Sequence, residues 1–416
     1  MSFQDSPQRK LVIVEQKLVR NRGHQHTQIG ALRKMLPGFD LHLITGEDYD
    51  GFLGEATAKT SKRSRYLSKL SWRTRHGSLR QKADATLRAL AMGQIRSLPG
   101  SPYGHVLSET CSALQMSADD LLIVPSADLE ALESACWFVE NSQGQTPRLL
   151  LRFLDPELGE HKSSRRNARL KVLSKTLSAA NSLVLYCETE EMAAYLNAQY
   201  GLDVRGGFYL PCSFDPANPP VQQVRPKSDA FRIGLFGAPR PGKGYERIGA
   251  IVSCVEDRLK TAPQERPIEI LLQGAEEDYS DGGVYAFADK FNADEGMLRV
   301  LKLSDRLDPS EFTNRFLSAD AILLPYDTAV YGLQGSGIIQ DAVAAEKFVI
   351  HSEGISMQNL LNSGNARAAS SDKIFAEAIC EAAMSPGGSH DSRRAAREKY
   401  LASLENNFLI GAGAQE

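Results

Sequence analysis

The 416-residue chain has no apolar run of the ~18 residues that a membrane-spanning helix needs. Residues 1–10 are polar and hold no apolar core of a secretory leader. The six cysteines are scattered and never form a C-x-x-C pair. Buried free thiols in a reducing cytoplasm are therefore expected, and no zinc-ligand spacing exists. The net charge is only −3, which argues against a dedicated nucleic-acid binder. No D-x-D pair sits in a suitable loop, so no metal ion and no bound cofactor are expected. These absences leave a cytoplasmic globular protein, too long for one domain of the usual ~100–200 residues.

The small net charge hides an uneven split. Residues 1–225 carry a net +5 and residues 226–416 a net −8, which suggests two domains with different surfaces. Short apolar runs recur at 11–15, 40–45, 121–125, 148–154, 182–187 and 208–211. Each has the length and Val/Ile/Leu content of a buried strand. Helical patterns lie between them at 28–35, 127–140 (with Ser126 as N-cap), 166–179 and 189–199. Five prolines between Pro211 and Pro226 then mark a linker. The rhythm restarts with runs at 232–237, 269–274, 298–303, 321–325, 347–351 and 367–370. Asp308 before Pro309 reads as a helix start. Alternating strands and helices predict two α/β units, each a doubly wound parallel sheet. Ligands of such sheets bind outside the carboxyl ends of the strands.

The sharpest local feature follows the first strand of the second half. G-A-P-R-P-G-K-G over Gly237–Gly244 nearly matches the P-loop pattern G-x-x-x-x-G-K-[ST]. Gly244 stands where the Mg²⁺-binding hydroxyl would be, and two prolines remove N–H donors, so nucleotide hydrolysis is rejected. What remains is a turn that presents Arg240 and Lys243 beside a helix N-terminus. That combination suits a diphosphate, and equally a plain strand-to-helix loop. A second segment decides between them. A strand ends at Pro325, Tyr326 and Tyr331 follow, and Gly335, Ser336 and Gly337 lead into a helix whose first amides can take an anion. Asp341, about one turn further on, is suited to ribose hydroxyls. Ser336 is not in a G-x-S-x-G elbow, which argues against a nucleophile.

With these residues in view, the second half resembles the sugar-nucleotide domain of GT-B fold glycosyltransferases, close to glycosyltransferase family 4. The matching pieces occur in family order: LFGAPRPGKGYERI, the strand and glycine at 271–274, LDPSEFTNRFLSADAILLPY, and GSGIIQDAVAAEKFV. The likeness is specific only over about 232–350. It implies that Arg240 and Lys243 contact the diphosphate, that Ser336 and Gly337 do so through backbone amides, and that Asp341 binds ribose. Gly237, Tyr326, Tyr331 and Gly335 complete the implied donor site. One departure stands out: the family's first acidic residue, eight positions before Asp341, is here Leu333.

The implied organisation is an acceptor-binding domain at 1–222, a donor-binding domain at 223–390 and a terminal helix at 391–416 that packs back toward the first. In the first half, His24 and His26 follow the first strand and are candidates for substrate contact or base catalysis. Arg152, in an apolar strand, should point to a cleft or a partner. Glu109 and Asp155 read as loop carboxylates. Residues 59–88 hold ten Lys and Arg against one acid, Asp84, which fits a solvated helix or an anionic membrane surface. The expected activity is sugar transfer from a UDP- or GDP-sugar to a hydroxyl of a glycan or lipid-linked acceptor, in polysaccharide or glycoconjugate synthesis. It would take place in the cytoplasm, either free or at the inner face of the membrane. The alternatives are a sugar-nucleotide epimerase and a non-catalytic GT-B binding or assembly protein.

Overall fold

A computed structural model describes residues 8–19, 24–36, 38–60, 103–142, 146–210, 213, 230–237, 239–262, 266–291, 296–385 and 389–412. The basic stretch at 59–88, apart from Lys59 and Thr60, lies outside them. So does the Pro-rich stretch at 211–226, apart from Ser213. The chain divides into two compact units, one from Met1–Glu188, Ala193–Gly206 and Leu409–Glu416, the other from Thr189–Met192 and Gly207–Phe408.

The first unit is built on β1 (Arg9–Glu15), β2 (Phe39–Gly46), β3 (Ala58–Thr60), β4 (Leu121–Ala127), β5 (Arg148–Phe153), β6 (Leu183–Cys187) and β7 (Val204–Arg205). The order is β3-β2-β1-β4-β5-β6-β7, with every pair parallel. The described helices between the strands are α1 (His24–Met35), α2 (Gly104–Ala113), α3 (Leu129–Asn141), α4 (Ser163–Ala179) and α5 (Glu190–Tyr200). Parallel strands buried on both faces need continuous apolar runs, and Leu11–Val14, Leu121–Ile123 and Leu149–Leu151 supply them.

The second unit repeats the plan with β8 (Phe231–Leu235), β9 (Ile268–Gly274), β10 (Leu298–Ser304), β11 (Ala321–Leu324), β12 (Phe348–Ser352) and β13 (Ala366–Ala369). The order is β10-β9-β8-β11-β12-β13, again all parallel. Its longer helices are α6 (Ile248–Thr261), α8 (Pro309–Ser318), α10 (Gly337–Ala344), α12 (Asp372–Met384) and α13 (His390–Ala412). Short helices α7 (Glu276–Tyr279), α9 (Thr328–Tyr331) and α11 (Gln358–Leu361) lie between them. Asp308 caps α8 through Ser310 N and Glu311 N, with Pro309 at the first position, as its sequence predicts.

Four local expectations are corrected. Residues 208–211 form no strand as far as they are described. Phe208, Tyr209 and Leu210 are fully buried, yet Gly207 at φ +74° turns the chain out of the extended region. Tyr209 instead packs edge-on to Tyr400 of α13 and donates to Asn359. Ser126 lies inside β4, and Asp128 is the residue that caps α3 through Ala131 N. Glu109 sits within α2, not in a loop. Arg152 is fully buried and donates to Glu188 at 2.8 Å and to the Pro125 carbonyl at 3.2 Å, so its partner is internal to its own unit. Asp155 closes its loop by accepting from Glu157 N and Gly159 N.

Candidate functional site

In each sheet the strand order reverses once, at β1/β4 in the first unit and at β8/β11 in the second. The crevice beyond the carboxyl ends of such a strand pair is where doubly wound folds take ligands. Both segments singled out in the second half emerge there, one after β8 and the other after β11.

After β8 the chain turns through Gly237 (φ +92°), Gly242 (φ +85°) and Gly244 (φ +67°). The turn is tied down at several points. Gly237 N donates to Gln273 Oε1 at 2.7 Å, and the Tyr245 hydroxyl donates to the Gly237 carbonyl at 2.6 Å. Asp327 N, from the loop after β11, reaches the Gly242 carbonyl at 2.8 Å. A Cβ on Gly244 would stand 1.8 Å from the Pro325 carbonyl oxygen. The departure from the P-loop pattern at that position therefore has a steric cause.

Lys243 is only 6% exposed, and its Nζ lies so near Gly237 that a Cβ there would meet it at 2.5 Å. Arg240 donates to the Tyr331 hydroxyl at 3.2 Å. Among the described residues neither cation has a carboxylate partner. Burial first, and then the neighbouring Arg240 charge, pull the Lys243 ammonium down to about 8. A buried cation beside a second cation is costly unless an anion joins them.

The second segment meets the first through its aromatic side chains. Tyr331 packs on Tyr326 with centroids 4.2 Å apart, and the Tyr326 hydroxyl lies 3.3 Å from Ser336 Oγ. Tyr326 is buried. Ser336 heads α10 in extended backbone, but its side chain caps no amide. Gly337 and Ile338, at the first two helical positions, have amides with no acceptor within the helix. The loop between Tyr331 and Ser336 is held on its backbone. Thr189 Oγ1 donates to the Leu333 carbonyl, Ser356 Oγ to that of Gln334, and Ser356 N to that of Tyr331. Ser336 N donates to Met357 Sδ. Gly335 lies within this fastened stretch.

Asp341 is 2% exposed, and Ser213 engages both its oxygens, through N at 3.0 Å and Oγ at 2.5 Å. Burial pushes the carboxyl up to about 7 in spite of those two bonds. Ser213 is 128 positions away in sequence, and nothing local announces the pair. Gln273, Thr189, Ser356 and Met357 were missed for the same reason. Only the strand-end position of Gln273, just before Gly274, could have drawn notice.

In the first unit, His24 and His26 open α1 and do not lie in a loop; the side chain of His24 falls outside the described residues. His26 packs edge-on to Phe52, with centroids 6.0 Å apart. Among the described residues, four buried side-chain atoms of the first unit's β1, α1 and β4 region have no hydrogen-bond partner: Gln16 Nε2, His26 Nδ1, Gln28 Oε1 and Ser126 Oγ.

Two all-parallel Rossmann-like units, each with one reversal of strand order, constitute the GT-B fold. Solved structures similar to the chain have that fold. One is an Escherichia coli trehalose-6-phosphate structure bound with UDP-2-fluoro glucose (TM-score 0.58, 13% identity, 96% of this chain and 98% of that one). Another is a UDP-forming α,α-trehalose-phosphate synthase from Burkholderia xenovorans (TM-score 0.55, 13% identity, 97% and 98%). A Burkholderia xenovorans synthase in complex with glucose-6-phosphate is also similar (TM-score 0.55, 13% identity, 96% and 96%). At that identity the likeness establishes the fold and nothing finer, so closeness to glycosyltransferase family 4 does not follow from it. No family model and no curated protein matches the chain. Among the described residues, no helix is long and apolar enough to cross a membrane and no His, Cys, Asp and Glu cluster could hold a metal ion.

Proposed function

We propose that the chain is a glycosyltransferase that moves a sugar from a nucleoside-diphosphate donor to a hydroxyl acceptor without a metal ion. The observation that carries this reading is the buried, acid-free Lys243 beside Arg240, at the switch point where α10 begins. The bond between the anomeric carbon and the diphosphate oxygen breaks, and the electron pair leaves with the diphosphate. In this reading Arg240, Lys243 and the amides of Gly337 and Ile338 take up that negative charge, and the loops that carry them are tied down before it forms, so little reorganisation opposes the step. The acceptor oxygen bonds to the anomeric carbon, and its proton passes to the departing diphosphate. Asp341 reaches a ribose only if the Ser213 segment releases it.

The first unit is assigned the acceptor. Among the described residues, the unpaired polar atoms of Gln16, His26, Gln28 and Ser126 suit a ligand rich in hydroxyls, and the glucose-6-phosphate complex of the B. xenovorans synthase supports a sugar phosphate. A glycan or lipid-linked acceptor, with residues 59–88 on an anionic membrane, is the other arm of the assay.

Thermal shift with UDP, GDP and ADP and their sugars, repeated on Arg240→Ala and Lys243→Ala, tests the donor site. A shift with one base, lost in both variants, is expected; no shift with any donor overturns the reading. A second reading has its own support: Leu333 in place of an acid, and Asp341 occupied by Ser213, fit a binding protein of the same fold. A donor shift with no transfer to sugar phosphates or lipid-linked glycans would favour it.

A further inference from the structure

Met357 has φ +65°, in the left-handed region that glycine enters without strain and other residues seldom adopt. It precedes α11, and its side chain caps none of that helix's amides. Glu191, in the first turn of α5, takes that role from outside the helix. Its two carboxylate oxygens accept from Met357 N and Gln358 N, each at 3.2 Å. These are charge-assisted bonds to amides that α11 itself leaves without an acceptor. Thr189–Met192 group with the second unit, so the link is internal to it.

A glycine at 357 would remove the backbone strain, but it would also remove the thioether. Met357 is fully buried, and its Sδ accepts from Ser336 N at 3.2 Å. Ser356, also buried, donates through N to the Tyr331 carbonyl at 2.7 Å and through Oγ to the Gln334 carbonyl at 2.5 Å. One turn, Ser356–Met357, therefore holds three points of the segment 331–336, and that segment ends where α10 begins. Thr189 reaches the same segment: its Oγ1 accepts from Met192 N and donates to the Leu333 carbonyl at 2.6 Å. With Ser336 N bonded to sulfur and Ile339 N to the Ser336 carbonyl, the amides of Gly337 and Ile338 are the ones left at the head of α10 for an anion.

We propose that Glu191 is a positioning residue for the donor diphosphate. It fixes the Ser356–Met357 turn, and that turn, through Met357 Sδ and the two Ser356 bonds, sets the direction of the Gly337 and Ile338 amides. This role presupposes the donor-site reading and adds to it a residue that acts through Met357 and not on the donor. Without the carboxylate, Met357 N and Gln358 N lose their acceptor, and Met357 is free to leave the left-handed region. Its Sδ then moves off Ser336 N, and the α10 amides lose their alignment. A displacement of about 1 Å in such a support is enough to be felt at the groups it aligns.

The test is calorimetric titration of UDP, GDP and ADP into the full chain, into Glu191→Ala and Glu191→Gln, and into Glu190→Gln, which removes the adjacent charge and leaves the Met357 contacts in place. For the nucleotide that binds the parent, affinity is expected to fall about tenfold in Glu191→Ala and about threefold in Glu191→Gln, which is isosteric and keeps one acceptor oxygen. Glu190→Gln should bind as the parent does. A merely structural role would lower the melting temperature and the fraction of chain that binds, but would leave the dissociation constant of the folded chain unchanged. Parent-like affinity in the Glu191 variants, or an equal loss in Glu190→Gln, would therefore overturn the proposal. If Glu191→Ala does not fold, parent-like affinity in Glu191→Gln alone overturns it. Binding of no nucleotide by the parent would overturn the donor-site reading and this role with it, whereas parent binding that the Glu191 variants retain in full would overturn the positioning role alone.

Discussion

Lys243 is the residue that the sequence pattern singled out and the structure made chemically specific. A surface lysine in a basic loop is ordinary, whereas a buried one with no acid and a neighbouring arginine holds a place for an anion. Gly244 is the matching case of a departure explained by space. Restoring the P-loop hydroxyl with Gly244→Ser would drive a Cβ into the Pro325 carbonyl at a φ of +67°. A loss of about 2–4 kcal/mol of stability is predicted, with no gain in Mg²⁺ affinity. Urea unfolding of the variant with and without Mg²⁺ checks both halves. Asp341 supplies a pH signature. Its folded-state carboxyl, near 7, stands above its ordinary value of 3.8, so the folded chain binds more protons between them. Its contribution is therefore fully present below about 4 and is lost as pH rises through about 7. In Asp341→Asn the melting temperature should fall less steeply over that window than in the parent. Parallel slopes in the two melting curves would refute the assignment.

At the scale of elements, the strand ends do the positioning. β8 and β11 deliver the two halves of the candidate donor site because the order β10-β9-β8-β11-β12-β13 makes them neighbours. The first unit shows a comparable device used for stability. Arg152 on β5 reaches Glu188 just beyond β6 and the Pro125 carbonyl on β4, and so ties three adjacent strands. Arg152→Met removes this charge partner from the buried Glu188. A loss of about 3–5 kcal/mol is predicted from the urea midpoint. A change under about 1 kcal/mol would show that the strands hold without the pair.

At the scale of the whole molecule, two doubly wound units were legible because parallel strands buried on both faces are short continuous apolar runs. Leu11–Val14 and Ile270–Leu272 cannot be mistaken for surface segments. Residues 208–211 misled for the converse reason. Phe208 and Leu210 are just as apolar, but they are buried by tertiary packing after Gly207 has broken the strand geometry. Arg240, Lys243 and the Gly335–Ser336–Gly337 turn could be read because each is local. The Ser213–Asp341 pair, the Met357 contact to Ser336 and the aromatic link from Arg240 through Tyr331 and Tyr326 join distant positions. No spacing rule brings those together before the chain has folded.

The claim on which the functional reading rests is that Lys243 and Arg240 receive a diphosphate. Calorimetric titration of UDP into the parent chain and Lys243→Ala, at pH 7 and pH 9, tests it most directly. Because the free ammonium loses its proton near pH 8 and a bound diphosphate favours its retention, affinity should fall about tenfold between the two pH values in the parent. The variant should bind more weakly at pH 7 and lose that pH dependence. Equal UDP affinity in parent and variant, or no binding to either, would contradict the account.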